Sequence, residues 1–351
     1  MKIENFISYE QPTNYIVHSD QYTKDGQIPV LTAGQSFVLG YTDEEDGIYT
    51  GEPVVIFDDF TTSVQYVDFP FKVKSSAMKI LKNKQNANIK FCYYLLSWLQ
   101  KMPPNHKRQW ISTTSQIDVN LPPIEWQKKI VQKIEAVSNI IKYRKEELKK
   151  LDELVSARFV EMFGDPVSNE YGLSEATLPE LGEFGRGVSK HRPRNDPKLL
   201  GGEYPLVQTG DVANAGLYIT SYSSTYSELG LMQSKMWDKG TLCITIAANI
   251  AKTAILEFDA CFPDSIVGFN ANEKTNNIFI HYWFSFFQAI LESQAPESAQ
   301  KNINLKILSE LKVIVPEKDK QDEFVEFIKQ VDKSKVVVST NIVYNIKRIK
   351  T

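Results

Sequence analysis

Residues 121–131 read LPPIEWQKKIV, and residues 315–325 read VPEKDKQDEFV. Each phrase has a proline near its start, a glutamine five residues after it, then an apolar residue and a valine. Pro122, Gln127, Ile130 and Val131 correspond to Pro316, Gln321, Phe324 and Val325 at a constant offset of 194. Each phrase also stands where one pattern gives way to another. Upstream, residues 117–121 and 311–315 read as strands that end at a proline, which has no N–H to continue a ladder. Downstream the period becomes helical. From Ile130 the seam continues through Ile134, Val137, Ile141, Arg144, Leu148, Leu151, Val155, Phe159 and Met162, at spacings of three and four. From Phe324 it continues through Ile328, Val331, Lys335, Val338, Ile342, Asn345 and Ile349. These are heptad seams with one or two polar breaks. Gly164, Asp165 and Pro166 stop the first helix. A long helix with one apolar stripe needs a partner, and the second helix carries the matching stripe. The two are expected to form an antiparallel coiled coil.

The phrase closes a longer internal repeat. Ile28-Pro29-Val30-Leu31 matches Tyr204-Pro205-Leu206-Val207 at an offset of 176, and Asn88-Ile89 matches Asn277-Ile278 at 189. The offset grows along the chain as the second copy's loops lengthen, and such self-similarity decides the architecture. Each half opens with a mixed, β-rich region. Residues 53–57 and 241–246 are short apolar runs rich in β-branched residues, as buried strands are. The fold class expected is α+β, with two β-rich globules held apart by a two-helix rod.

A chain of 351 residues with 42% apolar and 24% charged content reads as a soluble protein of two or more domains. No stretch resembles a membrane span or a signal peptide, so a cytoplasmic location is expected. Cys92, Cys243 and Cys261 read as buried reduced thiols. Net charge is −3, and residues 164–315 carry 12 basic against 17 acidic side chains. Any polyanion-binding surface is therefore a local patch.

In this order, several phrases resemble the specificity subunits of type I restriction–modification enzymes. They are Ile28-Pro29-Val30-Leu31, Phe57-Asp58-Asp59-Phe60-Thr61-Thr62, Phe69-Pro70-Phe71-Lys72-Val73, and Leu121-Pro122-Pro123 with Gln127. The second half adds Tyr204-Pro205-Leu206-Val207, Pro263-Asp264-Ser265, and Val315-Pro316 with Gln321. The resemblance implies a target-recognition domain at 1–121, a helix at 122–163, a second target-recognition domain at 164–315 and a second helix at 316–351. Residues 164–180 have no counterpart before the first domain. The resemblance further implies a non-catalytic subunit that reads double-stranded DNA, one half-site per domain. It also implies that two modification (methyltransferase) subunits bringing S-adenosylmethionine dock on it and methylate adenine, and that ATP- and Mg-dependent restriction subunits can join them. No cofactor is expected on this chain itself.

Base edges are read by Arg, Lys, Asn and Gln, and phosphates are held by bases and hydroxyls. In the first half these criteria select Thr61, Thr62 and Ser63, then Lys72, Lys74 and Ser75, then the basic turn with Lys107 and Arg108. In the second they select Arg186, Lys190, His191, Arg192 and Arg194, the densest basic stretch of an otherwise acidic region. Gln208, Thr209, Asn249, Lys252, Lys301 and Asn302 add donors. Two other readings remain. Asp264, Glu310 and Lys312 offer a carboxylate pair and a lysine for a metal-dependent nuclease, and a two-headed chain could be a protein-binding scaffold. The chain has neither a phosphate-binding glycine loop nor metal-ligand spacing of its four histidines.

Overall fold

The computed structural model describes residues 1–32, 36–100, 107–247, 250–294 and 303–350, the side chains of 289–294 and 347–350 excepted. Two compact units emerge, Met1–Lys142 with the chain end from Tyr344, and Tyr143–Val343. This division cuts through both long helices, whereas the domains expected from the sequence break where globule meets helix.

The first unit contains β1 (Ile7–Glu10), β2 (Ile28–Leu31), β3 (Val38–Thr42), β4 (Val54–Asp58), β5 (Val64–Val67), β6 (Lys72–Val73), β7 (Met78–Asn83), α1 (Ile89–Leu99) and the start of α2 (Ile124–Phe163). An antiparallel sheet runs β1-β7-β4-β5, and a smaller one runs β3-β2-β6 with β6 parallel to β2. Both faces of the larger sheet are covered. Val55, Phe57 and Leu81 pack with Cys92 and Leu96 of α1, while Val54, Ile56 and Ile80 pack with Leu31 and Val73 of the smaller sheet. Alternate side chains of β4 thus enter two cores, which is why Val54–Asp58 is an unbroken buried run.

The second unit holds the rest of α2, then β8 (Glu175–Thr177), α3 (Leu178–Leu181), β9 (Gly182–Arg186), β10 (Leu200–Leu206), α4 (Thr209–Asn214), β11 (Tyr218–Ile219), β12 (Ser224–Tyr226) and α5 (Glu228–Met232). It continues with β13 (Met236–Trp237), β14 (Leu242–Thr245), β15 (Thr253–Leu256), β16 (Ala260–Cys261), β17 (Ile266–Ala271), α6 (Asn277–Gln294), α7 (Leu305–Glu310), β18 (Lys312–Ile314) and most of α8 (Lys318–Lys350). Its sheets repeat those of the first unit. The order β9-β17-β14-β15-β11 extends the β1-β7-β4-β5 plan by one strand, and β12-β10-β16-β13 extends β3-β2-β6. In the small sheets β16 lies parallel to β10 as β6 does to β2.

The repeated glutamines do the same work in both units, and both are fully buried. Gln127 donates to the carbonyls of Pro122 (2.8 Å) and Asn86 (2.9 Å) and accepts from the Asn88 amide (2.8 Å). Gln321 donates to the carbonyls of Pro316 (2.9 Å) and Lys274 (3.0 Å) and accepts from the Thr275 hydroxyl (2.9 Å). Each pins the start of a long helix to the loop before α1 or α6. The caps of those shorter helices shift the sequence register by one. Asn88 accepts from the Phe91 amide, and Asn276, rather than Asn277, accepts from the Phe279 amide.

The seam residues described in α2 and α8 are all buried or half-buried. Within the second unit the two helices run antiparallel, with Arg158 3.0 Å from Glu323 and Lys335 2.7 Å from Asp152. The polar break at Lys335 is therefore an ion pair across the seam. Here the seam is not a free two-helix rod. Val155, Phe159 and Phe163 share one core with Phe324, Ile328, Val331 and the α6 residues Phe279, Ile280 and Trp283. Phe163, beyond the seam read from the sequence, is fully engaged, because α6 packs against the same stripe. In the first unit Glu135 of α2 pairs with Lys90 of α1 at 2.6 Å. Among the described residues no helix is long and apolar enough to cross a membrane. All three cysteines are free and buried, and burial pushes the Cys92 thiol up to about 12.

Candidate nucleic-acid interface

In the first unit Asp59 gathers three loops. It follows β4 at the β4–β5 turn. Its carboxylate accepts from the amides of Gln109 (3.0 Å) and Trp110 (2.8 Å), and its carbonyl accepts again from Gln109 (2.8 Å). Its own amide donates to the Ala77 carbonyl (3.1 Å). The turn at 59–63, the β6–β7 loop and the segment from Lys107 are thereby held side by side. Lys74, Ser75, Lys107 and Arg108 are exposed there. The charged ends of Lys74, Lys107 and Arg108 have no partner among the described residues. Asp59 is itself buried, 3.4 Å from the buried ammonium of Lys79. The sequence pointed to this turn as a polar loop without showing that its acid organises its neighbours.

The turn is largely self-satisfied. Asp58 accepts from the Phe60 amide and the Thr61 hydroxyl, Thr61 also donates to the Ser63 hydroxyl, and Thr62 adopts a φ of 60°. One expectation is overturned. Lys72 is fully buried, its ammonium 2.6 Å from Glu44 and donating to the Asp46 carbonyl at 2.7 Å. It lies on β6 beside Val30. Because β6 ends at Val73, the exposed part of this stretch begins only at Lys74.

In the second unit the basic loop runs from the end of β9 and gathers on the β16–β17 turn. Arg186 donates to the Asp264 carbonyl at 2.9 Å, Arg192 to its carboxylate at 3.2 Å, and Arg194 to the other carboxylate oxygen. Arg192 also donates to the carbonyls of Ser189 and His191. His191 pairs with Asp196 at 3.1 Å, and the Lys190 and His191 amides donate to Gln233. The Lys190 ammonium is exposed. A cavity of about 240 Å³ beside the cluster is lined by Arg194, Asn195, Gln208, Thr209, Tyr226 and Ser265, among others. The loop and the Gln208–Thr209 corner, distant in sequence, thus meet.

Lys252 does not join them. It donates to Gln288 at 3.0 Å and lines another cavity, of about 250 Å³, with His281, Tyr282, Asp152 and Lys335. Burial, with the charge of Lys335 adding to it, lowers the His281 pKa to about 4, so its ring is neutral at pH 7. Asn249, Lys301 and Asn302 lie outside the described residues. The nuclease reading fails on geometry. The Asp264 carboxylate is paired with two guanidinium groups, whose positive charge opposes a metal cation, and Glu310 pairs with Lys306 at 3.8 Å.

The family model described as the type I restriction modification DNA specificity domain matches residues 3–153 and again 174–348. The chain belongs to this family. Its two matched stretches are the two copies of the sheet plan. The chain is 28% identical over 95% of its length, and 86% of the relative's, to the type I restriction enzyme EcoR124I/EcoR124II specificity subunit of Escherichia coli. It is 21% identical over 73% of its length to the putative type I restriction enzyme MjaX specificity subunit of Methanocaldococcus jannaschii, covering 64% of that protein. Among solved structures, the fold matches the type I restriction–modification S subunit from M. genitalium, with a TM-score of 0.63 and 14% identity over 100% of this chain and 93% of that one. A chain from a study of complex assembly and conformational transition of the type I system matches with a TM-score of 0.58 and 15% identity, covering 98% and 95%.

Proposed function

We propose that this specificity-family chain reads a bipartite DNA target, one half-site per globular unit, with an unread spacer between them. What carries the reading is the repeated topology with unlike loops at matching strand ends. The β6–β7 turn carries Lys74 and Ser75, while its counterpart between β16 and β17 carries Asp264 ringed by arginines. Two surfaces on one scaffold with different side chains suit two different half-sites. The long helices set the spacer and dock two modification subunits, which bring S-adenosylmethionine and methylate adenine. Restriction subunits using ATP and Mg²⁺ join that complex. The chain itself is a non-catalytic cytoplasmic subunit, and the relatives' description as specificity subunits supports this division of labour.

The test exchanges residues 181–315 for the corresponding stretch of another specificity subunit. The methylated motif is then sequenced in a host that also carries the modification subunit. One half of the motif changes and the other stays. A change in both halves would refute independent reading.

A further inference from the structure

Asp264 sits beneath three arginines, and they are not equivalent. The Arg192 guanidinium is braced, with one terminal nitrogen donating to two backbone carbonyls and the other to Asp264. Arg194 gives one nitrogen to Asp264 and has no other partner among the described residues, so most of its donor fork is free. It also lines the cavity with Gln208, Thr209 and Ser265. The side chains of Arg194 and Asp264 remain 46% and 29% exposed, so both can be reached from solvent.

From this geometry we infer that Arg194 and Asp264 together read one G·C pair of the second half-site in the major groove, a step that rests on the DNA-reading role proposed above. Arg194 supplies the paired donors that match guanine O6 and N7, and Asp264 accepts from the cytosine amino group. A phosphate would engage Arg194 alone, because the ionised Asp264 carboxylate only accepts hydrogen bonds and a phosphate oxygen offers it no donor. Arg192 is the positioning residue, holding Asp264 through its other carboxylate oxygen. The equivalent turn of the first unit, Ser75-Ser76-Ala77 between β6 and β7, has no acid, so this device belongs to the second half-site alone.

The experiment uses the full chain with its modification partner and compares R194K and D264N. Lysine keeps the charge but loses the fork. R194K relaxes the methylated motif at a single G·C position of the second half-site. Discrimination there falls roughly ten- to a hundredfold, and the other positions are retained. D264N relaxes the same position, yet binds non-cognate duplex more tightly and with a steeper salt dependence, because a negative charge has been removed. A solvated surface loop would not couple looser reading to tighter binding. A motif unchanged by R194K, or relaxed only at an A·T pair, overturns the assignment while leaving the DNA-reading role intact. An unaltered chain that yields no bipartite motif overturns both.

Discussion

Gln127→Glu changes almost no volume but reverses half of a buried hydrogen-bonding pattern. One side-chain oxygen can still accept from the Asn88 amide. The other replaces an NH₂ and faces the carbonyls of Asn86 and Pro122, at 2.9 and 2.8 Å in the native chain. A carboxylate there is repelled by both and has no water, so the group binds a proton more tightly in the folded than in the unfolded state. Protonated, it donates to one carbonyl and leaves the other unmet, at a cost of about 1–3 kcal/mol. The pH dependence then follows from linkage. Below the unfolded value of about 4.3 both states are protonated and only that cost remains. Above it the unfolded chain releases its proton first, so the variant loses about 1.4 kcal/mol per pH unit until the folded pKa is passed. Calorimetric unfolding of wild type and variant between pH 4 and 8 measures this, with hydrogen exchange of Val54–Asp58 identifying the first unit. At ~2–4 °C per kcal/mol, the loss at pH 4 lowers the melting temperature by roughly 2–12 °C, and the gap widens as pH rises. Gln321→Glu weakens the second unit in the same way. A gap between variant and wild type that stays constant from pH 4 to 8 would refute the buried-pin argument.

Asp59→Ala leaves the Trp110 amide without its acceptor, the Gln109 amide with only the residue 59 carbonyl, and the buried Lys79 ammonium without its counter-ion, with Gln11 alone to accept from it. It should destabilise the first unit by about 3–5 kcal/mol and relax only the first half of the methylated motif, as read by denaturant unfolding and methylome sequencing. His281 has a folded pKa depressed to about 4 from an ordinary value of 6.5, so the unfolded chain takes up its proton first as pH falls. Stability of the second unit should therefore decline from pH 6.5 towards 4, and His281→Gln should flatten that part of the pH profile.

Much of the architecture is local and periodic, and so legible in the sequence. The doubled proline–glutamine phrase, the buried strand at Val54–Asp58 and the three-four spacing of α2 and α8 each express a backbone period that side-chain order must follow. The basic loop at 186–194 was visible as composition. What the tertiary structure decided depends on partners far apart in the chain. Lys72 and Lys74 look alike in the sequence, but β6 ends between them, and Glu44 and Asp46 draw one inward. In the sequence Asp264 is open to an alternative reading as half of a carboxylate pair, but three arginines from 70 to 78 residues upstream close around it. Phe163 joins the seam only because α6 lies against it. A side chain's period is fixed by its own backbone, but its charge environment and solvent access are set by whichever segment folds against it.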